Sequence, residues 1–574
     1  MAGASTSDSR LGVTLQGFDQ VIALSQANIN ESLTYHFSNK PELYNFNATV
    51  KSTRESLKGT LKAPRIELID VDGADQALYC LEFAPGKDYY DQPDKYVAPK
   101  FIQWVADDNG DDEDAPPAWR KIEKPAEGWK IAFFVDFSLK KMAQVPQKIR
   151  DQIQNPGSYS VDQLLVDFGT AEIISLAPER TVVTGFSTPE EEDAVKGSIS
   201  VLVSKWLVAL KGINNSGSHN VLGYAVKADN AAAIPKSAPS FPPTSVRLQT
   251  INYRPDGDAS KSTSDHDHNA FLFTEMTELR QMPTTDLQWS GDWFYESIGG
   301  TMVMSRRVFW ERFLLEKLKV TNQALFQAAK KVVNNMATHV LADRIDFPSV
   351  SSDWTTVSGT KAAFSWSSGT QSFSYEEEVP GSNNLYDFTW EASVQNQVEA
   401  QVGGPNISVN SVVSAQGHLS IHSYGLPKAL YHIVLDANVS GSSPTDIQIR
   451  QVDDGGKLKV TVWTPQTNSS CSTSSDLKGL LENWSSRSET ILNNSKKEFW
   501  DDVLAGVIAK AAETTRDLEK PLEEALNGQG AFIFPGGGTF EMKSPIFNKA
   551  GDLMIGLVFN SGNAVSDAVD EVVE

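Results

Sequence analysis

The sequence has few cysteines and no grouping of residues typical of a structural metal site. Cys80 and Cys471 are the two cysteines in 574 residues. Two cysteines cannot form the disulfide framework that stabilises small secreted domains, and neither lies in a CxxC pair or a zinc-type cluster with histidines. The sequence therefore predicts a fold without disulfide or zinc support, and we expect no cofactor.

Positive charge is also scarce. The chain has 50 lysines and arginines against 73 aspartates and glutamates, for a formal net charge of −23. Proteins that bind nucleic acid neutralise phosphates with lysine and arginine, and anionic lipid surfaces attract clustered basic residues. We therefore expect no nucleic-acid partner and no broad adsorption to anionic membranes.

Long apolar runs are missing. No segment approaches the roughly 20 apolar residues that a membrane-spanning helix requires. The first ten residues, MAGASTSDSR, lack the basic stretch and apolar core of a secretory signal. These features predict a soluble cytoplasmic protein without a transmembrane segment, with non-classical export as an open alternative.

The common catalytic motifs are absent too. The chain contains no G-x-S-x-G, no Walker A sequence, no H-E-x-x-H and no G-x-G-x-x-G after a strand. Residues 536–538 are three glycines, but they lead into the alternating segment 539–542, which indicates a hairpin turn and not a phosphate-binding loop. No catalytic residue can therefore be chosen from the sequence.

Apolar periodicity predicts several helices separated by strands. Apolar residues recur at three- and four-residue spacing in five segments, which are residues 19–37, 138–154, 189–211, 305–336 and about 476–527. Alternating apolar residues predict antiparallel strands around residues 364–375, 419–421, 447–449 and 458–462. The chain is thus expected to be α+β with antiparallel sheets.

The helices and strands repeat on either side of a proline-rich segment. Residues 231–244 carry four prolines among alanines and serines, so we predict an N-terminal domain at 1–232, a linker at 233–244 and a C-terminal domain at 245–574. A helix entry in each half has alternating apolar residues followed by a serine able to cap, Ser25 or Ser305. This order predicts two similar halves, each with a long helix against a strongly bent sheet that leaves an apolar groove.

Two sets of apolar residues are candidates for ligand or partner contacts. The predicted groove lies on the apolar faces of residues 19–37 and 189–211, and its candidate lining residues are Ile22, Leu33, Val201, Leu202 and Trp206. Tryptophan and tyrosine suit a boundary that is apolar on one side and wet on the other, so residues 289–295 are a candidate protein interface or membrane edge. The residues of this edge are Trp289, Trp293, Phe294 and Tyr295. Ordinary core packing is the alternative for them.

Polar clusters offer weaker candidates. His266 and His268 alternate with acidic residues and have transition-metal donors. His418 and His422 share one face of a predicted strand, where metal binding or proton transfer is conceivable. The acidic run at 107–114 does not match the spacing of an EF-hand loop. A solvated loop or sheet face is the favoured interpretation of all three, and we predict no metal.

Three segments resemble one known family. They are residues 17–25 (GFDQVIALS) with 28–30 (NIN), 299–306 (GGTMVMSR), and 532–540 (FIFPGGGTF) with 545–547 (PIF). In this order they resemble the OrfX-type accessory proteins of clostridial toxin clusters, which include a forty-seven-kilodalton member. The resemblance implies a tubular lipid-binding (TULIP) fold, in which highly curved antiparallel sheets wrap long helices around an apolar groove. It implies no catalytic residues.

Three hypotheses for the function follow. The first is non-enzymatic binding or carriage of a lipid or another elongated hydrophobic molecule in the groove. The second is an accessory subunit of a toxin-associated protein assembly. The third is a groove-based enzyme, an isomerase or cyclase, that uses histidines such as His418 or His422 on a hydrophobic metabolite.

Overall fold

A computed structural model of the chain shows an α+β fold built mainly from antiparallel sheets, as predicted. The structure describes residues 8–38, 41–68, 76–87, 95–107, 118–141, 159–167, 176–212, 221–228, 243–254, 266–295, 299–341, 349–357, 362–379, 384–425, 428–451, 458–464, 468–479, 505–506, 509, 513–527, 532–533 and 539–560.

The strands are β1 (Gln20–Ser25), β2 (Asn45–Val50), β3 (Glu55–Thr60), β4 (Arg65–Glu67), β5 (Gln76–Glu82), β6 (Lys100–Asp107), β7 (Ala118–Pro125), β8 (Lys130–Lys141), β9 (Tyr159–Asp167), β10 (Val221–Ala228), β11 (Ser245–Ile251), β12 (Ala270–Met276), β13 (Gly300–Met304), β14 (Thr355–Thr356), β15 (Ala363–Ser367), β16 (Gln371–Val379), β17 (Asn384–Ala400), β18 (Asn406–Gly425), β19 (Lys428–Gln451), β20 (Leu458–Trp463), β21 (Asn468–Gly479), β22 (Phe532–Ile533), β23 (Thr539–Phe547) and β24 (Leu553–Asn560). The α-helices are α1 (Asp8–Leu11), α2 (Gln26–Ser38), α3 (Pro189–Gly212), α4 (Leu315–Leu341) and α5 (Glu519–Asn527). A π-helical stretch, Arg307–Leu314, leads into α4, and short 3-10 helices span Pro41–Tyr44 and His266–His268.

The central sheet has six strands in the order β11-β12-β1-β13-β24-β23. Every residue of β1 is buried, because its alternate side chains enter apolar cores on opposite faces of the sheet. The prediction of one helix over residues 19–37 is therefore wrong for its first third, and the helix begins at Gln26. A strand buried on both faces has a continuous apolar sequence, which periodicity does not separate from a buried helix.

Apart from β22, the strands of two further sheets come from the first part of the chain. One has the order β22-β10-β9-β8-β5-β4, and the other, here called the small sheet, has the order β2-β3-β6-β7. Residues 138–141, predicted as the start of a helix, are the end of β8, where they pair with β9. The rest of that predicted helix, residues 142–154, lies outside the described residues.

The long sheet belongs to the second part of the chain. Its path is β14-β15-β17-β18-β19-β20, with β16 paired to β17 and β21 paired to β19. The strands predicted around residues 364–375, 419–421, 447–449 and 458–462 are all found in it. The helix predicted over 476–527 is only partly correct, since residues 476–479 extend β21 and α5 covers 519–527. Residues 480–504 lie outside the described part.

Two predicted helices are confirmed. Helix α3 spans Pro189–Gly212, and the Glu191 N–H donates to Thr188 Oγ1 at 3.3 Å, which is the expected N-cap bond. The helix predicted over 305–336 continues to Leu341. Long, strongly periodic segments thus behave as the sequence pattern indicates.

The two similar helix entries lie side by side. Strands β1 and β13 pair antiparallel, and each leads into a helix. The hydroxyl of Ser25 accepts from the Asn28 N–H at 3.1 Å, and that of Ser305 accepts from the Val308 N–H at 3.3 Å. The Ser25 N–H donates to Gly299 and the Ser305 N–H donates to Asp19. The repeat seen in the sequence is therefore a local two-fold arrangement at the centre of the fold.

The sheets do not follow the predicted domain boundaries. Strand β1 lies in a sheet whose other five strands come from residues 245–560, and β22 pairs with β10. Strands β22 and β23 belong to different sheets, and the glycines 536–538, predicted to form a hairpin turn, lie between them outside the described residues. Most of the predicted linker, residues 233–242, lies outside the described part, so the division into two halves stays a prediction.

Candidate functional site

The predicted groove residues come together in one apolar cluster, here called the first core. Ile22 enters it from β1, Leu33 from α2, and Leu202 and Trp206 from α3, and all four are buried. Val201 is partly buried against the same cluster. The assignment of Ile22 to a helix was wrong, because the residue lies in β1, and its contact with a ligand stays a prediction.

The first core extends across all four sheets. Leu57 joins it from the small sheet, Phe133 from β8, Phe273 from the central sheet and Val460 from the long sheet. The central sheet separates it from a second core that contains Val21, Ala23, Leu272 and Val303 on the opposite face. Among the described residues, the first core therefore forms an extended apolar cluster between α2, α3 and the sheets.

Helix α3 closes the first core on one side and rests on β2 and β3. The Trp206 ring stacks on Phe46 at 4.9 Å between centroids with an interplanar angle of 26°. Its indole N–H donates to the carbonyl oxygen of Asn45 at 3.2 Å, and the Ser198 hydroxyl donates to Glu55 at 2.7 Å. A single aromatic stack and two polar contacts thus mark the boundary between α3 and the small sheet.

One edge of α3 passes from the core to solvent. Val201 and Val208 are seven residues apart and lie on the same stripe of the helix. Val201 is partly buried against the first core, whereas Val208 is 67% exposed. These two valines offer a matched pair for testing whether the core edge binds a ligand.

A buried acid lies on the central sheet, on the face toward the first core. Glu275 is the register partner of Gln20, and alternation places both on the face that carries Ile22 and Phe273. Gln20 Nε2 donates to Glu275 Oε2 at 3.5 Å, and burial raises the pKa of Glu275 to about 8. The group is therefore mainly a neutral acid at neutral pH. The sequence signal for it is a single acid within the apolar strand AFLFTEM.

A second buried acid holds the strand–helix junction. The Asp19 carboxylate accepts the backbone N–H and hydroxyl of Thr277 at 3.0 and 2.8 Å. It also accepts Arg307 at 3.1 Å and pairs with Arg280. The sequence gives no sign of this network, because Asp19 lies more than 250 residues along the chain from its three partners.

The aromatic segment 289–295 lies mostly inside the protein. Trp293 and Phe294 are buried in the second core, and Trp289 is partly buried against it. The Tyr295 ring lies 4.3 Å from the guanidinium of the buried Arg10. The burial of Trp293 and Phe294 matches the core-packing alternative, and an exposed edge would have to be formed without them.

The candidate histidines do not converge. His418 Nδ1 lies 2.6 Å from Asp436 Oδ1, and His422 Nε2 lies 2.7 Å from the Ser420 hydroxyl. His266 and His268 are in a short 3-10 helix, where the neighbouring Asp267 pairs loosely with Arg65. Among the described residues, no three histidine, cysteine or acidic side chains are grouped so as to hold a metal ion.

None of the helices in the described part of the chain has the length and apolar character needed to cross a membrane.

Comparisons with known proteins give similar structures but no similar sequences. No protein-family model and no curated protein matches the chain. P47 from Clostridium botulinum A2 is similar in structure, with 11% identity and a TM-score of 0.42 over 96% of this chain and 99% of that chain. P47 of Clostridium botulinum E1 gives 10% identity and a TM-score of 0.38 over 95% and 99%. A lipopolysaccharide binding protein gives 9% identity and a TM-score of 0.32 over 95% and 99%. Two of these three similar structures are thus P47 proteins from Clostridium botulinum, and the third is a lipopolysaccharide binding protein.

Proposed function

We propose that the protein binds a lipid or another elongated hydrophobic molecule, without catalysis, along the first core. The observation that carries this proposal is the apolar cluster that connects α2 and α3 with all four sheets. A contiguous apolar core is common in soluble domains. Because this one includes side chains from four sheets, it would contact a long ligand over more of its length than a compact one.

The boundary between α3 and the small sheet is the proposed entry. Trp206, Phe46 and the Ser198–Glu55 hydrogen bond hold it closed. Separating a helix from two strands breaks no strand-to-strand hydrogen bonds, whereas opening a sheet does. An acyl chain that entered there would contact Val201, Leu202 and Trp206 first.

The energetics favour such a ligand. Each methylene moved from water into an apolar environment contributes about 0.8 kcal/mol, so a chain of about ten methylenes contributes about 8 kcal/mol before the costs of ordering. The net charge of −23 opposes self-association by electrostatic repulsion while the protein carries an apolar molecule.

The histidine-based enzyme hypothesis receives less support. On β18, His418 and His422 lie at even-numbered positions. Ile407 and Val409, which belong to the first core, lie at odd-numbered positions. Alternation along a strand therefore places the histidines on the other face of the long sheet. A ligand in the first core would be out of their reach.

The matched valines of α3 test the proposal. In titrations with a fluorescent fatty acid, we expect Val201→Asp to weaken binding at least about tenfold, because it places a charge where the ligand replaces water. Val208→Asp adds the same charge to the same stripe at an exposed position and should bind as the wild type does. Circular dichroism and thermal unfolding of both variants provide the folding control.

A second variant keeps the test decisive if Val201→Asp is unstable. Val201→Trp keeps the position apolar but fills the space beside Leu202, and it should also weaken fatty-acid binding. Equal affinities for the Val201 and Val208 variants, or no saturable uptake by the wild type, would contradict the proposed function.

A further inference from the structure

A polar cavity lies on the long sheet, away from the first core. Its volume is about 590 Å³, within the range of small-molecule sites in proteins. Four adjacent strands, β16 to β19, supply its lining. Most of its lining residues are polar, among them Thr389, Glu391, Gln416, His418, Asp436 and Asn438.

The strand register arranges these side chains in two parallel rows. Glu391 pairs with Gln416 and Gln416 with Asn438, while Thr389 pairs with His418 and His418 with Asp436. Neighbouring strands are about 4.8 Å apart, and residues two apart on one strand share a face. The rows therefore present a regular grid of hydroxyl, amide, imidazole and carboxylate groups on a rigid base.

Two contacts fix this grid in position. Gln416 Nε2 donates to Glu391 Oε2 at 2.7 Å, and His418 Nδ1 lies 2.6 Å from Asp436 Oδ1. The first contact uses one polar atom each of Gln416 and Glu391, and amides and carboxylates have further donor or acceptor positions. These two side chains are thus oriented in advance and still able to bond a ligand.

The chemistry of the lining selects the class of ligand. It contains no lysine or arginine and has two carboxylates, Glu391 and Asp436, so phosphate and sulfate groups would be repelled. Apart from Phe373, Trp390 and Gly417, all lining residues have polar side chains, which disfavours an acyl chain. A neutral molecule with many hydroxyl groups satisfies both conditions, because each hydroxyl can donate to a carboxylate and accept from an amide.

We propose that this cavity is a binding site for a neutral saccharide. The site is separate from the proposed lipid site. On β18, Gln416 and His418 lie at even-numbered positions, whereas Ile407 and Val409 of the first core lie at odd-numbered positions, on the opposite face of the sheet. It does not depend on the lipid proposal, and either can fail without the other.

The test uses the full-length protein with maltotetraose, chitotetraose and cellotetraose as neutral probes and a heparin tetrasaccharide as an anionic one. We expect saturation-transfer NMR and calorimetry to show saturable binding of at least one neutral probe and none of heparin. Gln416→Ala and Asn438→Ala should each weaken that binding at least about tenfold.

A matched control lies on the same strand. Asn410 is exposed on β18, six residues before Gln416 and outside the cavity, so Asn410→Ala should leave binding unchanged. Fatty-acid uptake should be the same in all three variants, which separates this site from the first core. No saturable binding of the three neutral probes, stronger binding of heparin, or equal losses in all three variants would overturn the proposal.

Discussion

Replacing Asp19 by alanine is expected to lower the free energy of unfolding by about 3–5 kcal/mol, the range for breaking a buried ion pair. The carboxylate is buried and accepts Thr277, Arg280 and Arg307. Its loss leaves two guanidiniums near the core and the Thr277 N–H without its acceptor. Urea unfolding followed by tryptophan fluorescence measures the change.

Glu278 provides the control for this prediction. It pairs with Arg307 and Arg312 in the same region, but its side chain is 39% exposed. Exposed ion pairs contribute about 0–1 kcal/mol, so Glu278→Ala should have a much smaller effect than Asp19→Ala. Similar losses in the two variants would show that Asp19 does not hold the strand–helix junction.

Replacing Glu275 by glutamine is expected to remove a large dependence of stability on pH. Burial raises the pKa of Glu275 to about 8 in the folded protein, whereas the pKa of a glutamate in an unfolded chain is about 4.3. Between these values the unfolded state releases a proton that the folded state retains. Stability therefore falls as pH rises, by about 1.4 kcal/mol per pH unit, and the contribution is fully present only below the unfolded pKa.

The glutamine variant cannot ionise and should lack this slope. We expect Glu275→Gln to exceed the wild type in stability by only about 1 kcal/mol near pH 5 and by clearly more at pH 8. Glu31→Gln, at an exposed position of α2, should follow the wild type at both values. A stability difference between Glu275→Gln and the wild type that is the same at pH 5 and pH 8 would contradict the prediction.

Periodicity and family resemblance predicted much of the fold. Helices α3 and α4 and the strands β15, β16, β18, β19 and β20 of the long sheet were predicted from their apolar periodicity. Strand β1 was missed because both of its faces are buried, so its sequence has no polar side. The end of β8 was missed for a different reason. Residues 138–141 mix polar and apolar residues, and they were included in the predicted helix that follows them.

The apolar site was easier to anticipate than the polar ones. Leu33 and Leu202 were chosen because they lie on apolar helix faces, and such faces must meet an apolar partner. Asp19 and Glu275 could not be chosen, because a single acid shows its role only when its distant partners are known. The polar cavity likewise depends on the register of four long strands, which the sequence does not specify.

Binding of a hydrophobic ligand to the first core is tested most directly by native mass spectrometry of the purified full-length protein, before and after organic extraction. The account predicts added mass that extraction removes, that recurs between preparations, and that a fatty acid or phospholipid restores in wild type and Val208→Asp but not in Val201→Asp. A mass equal to that of the bare chain in every preparation, with no uptake of either added lipid, would contradict it.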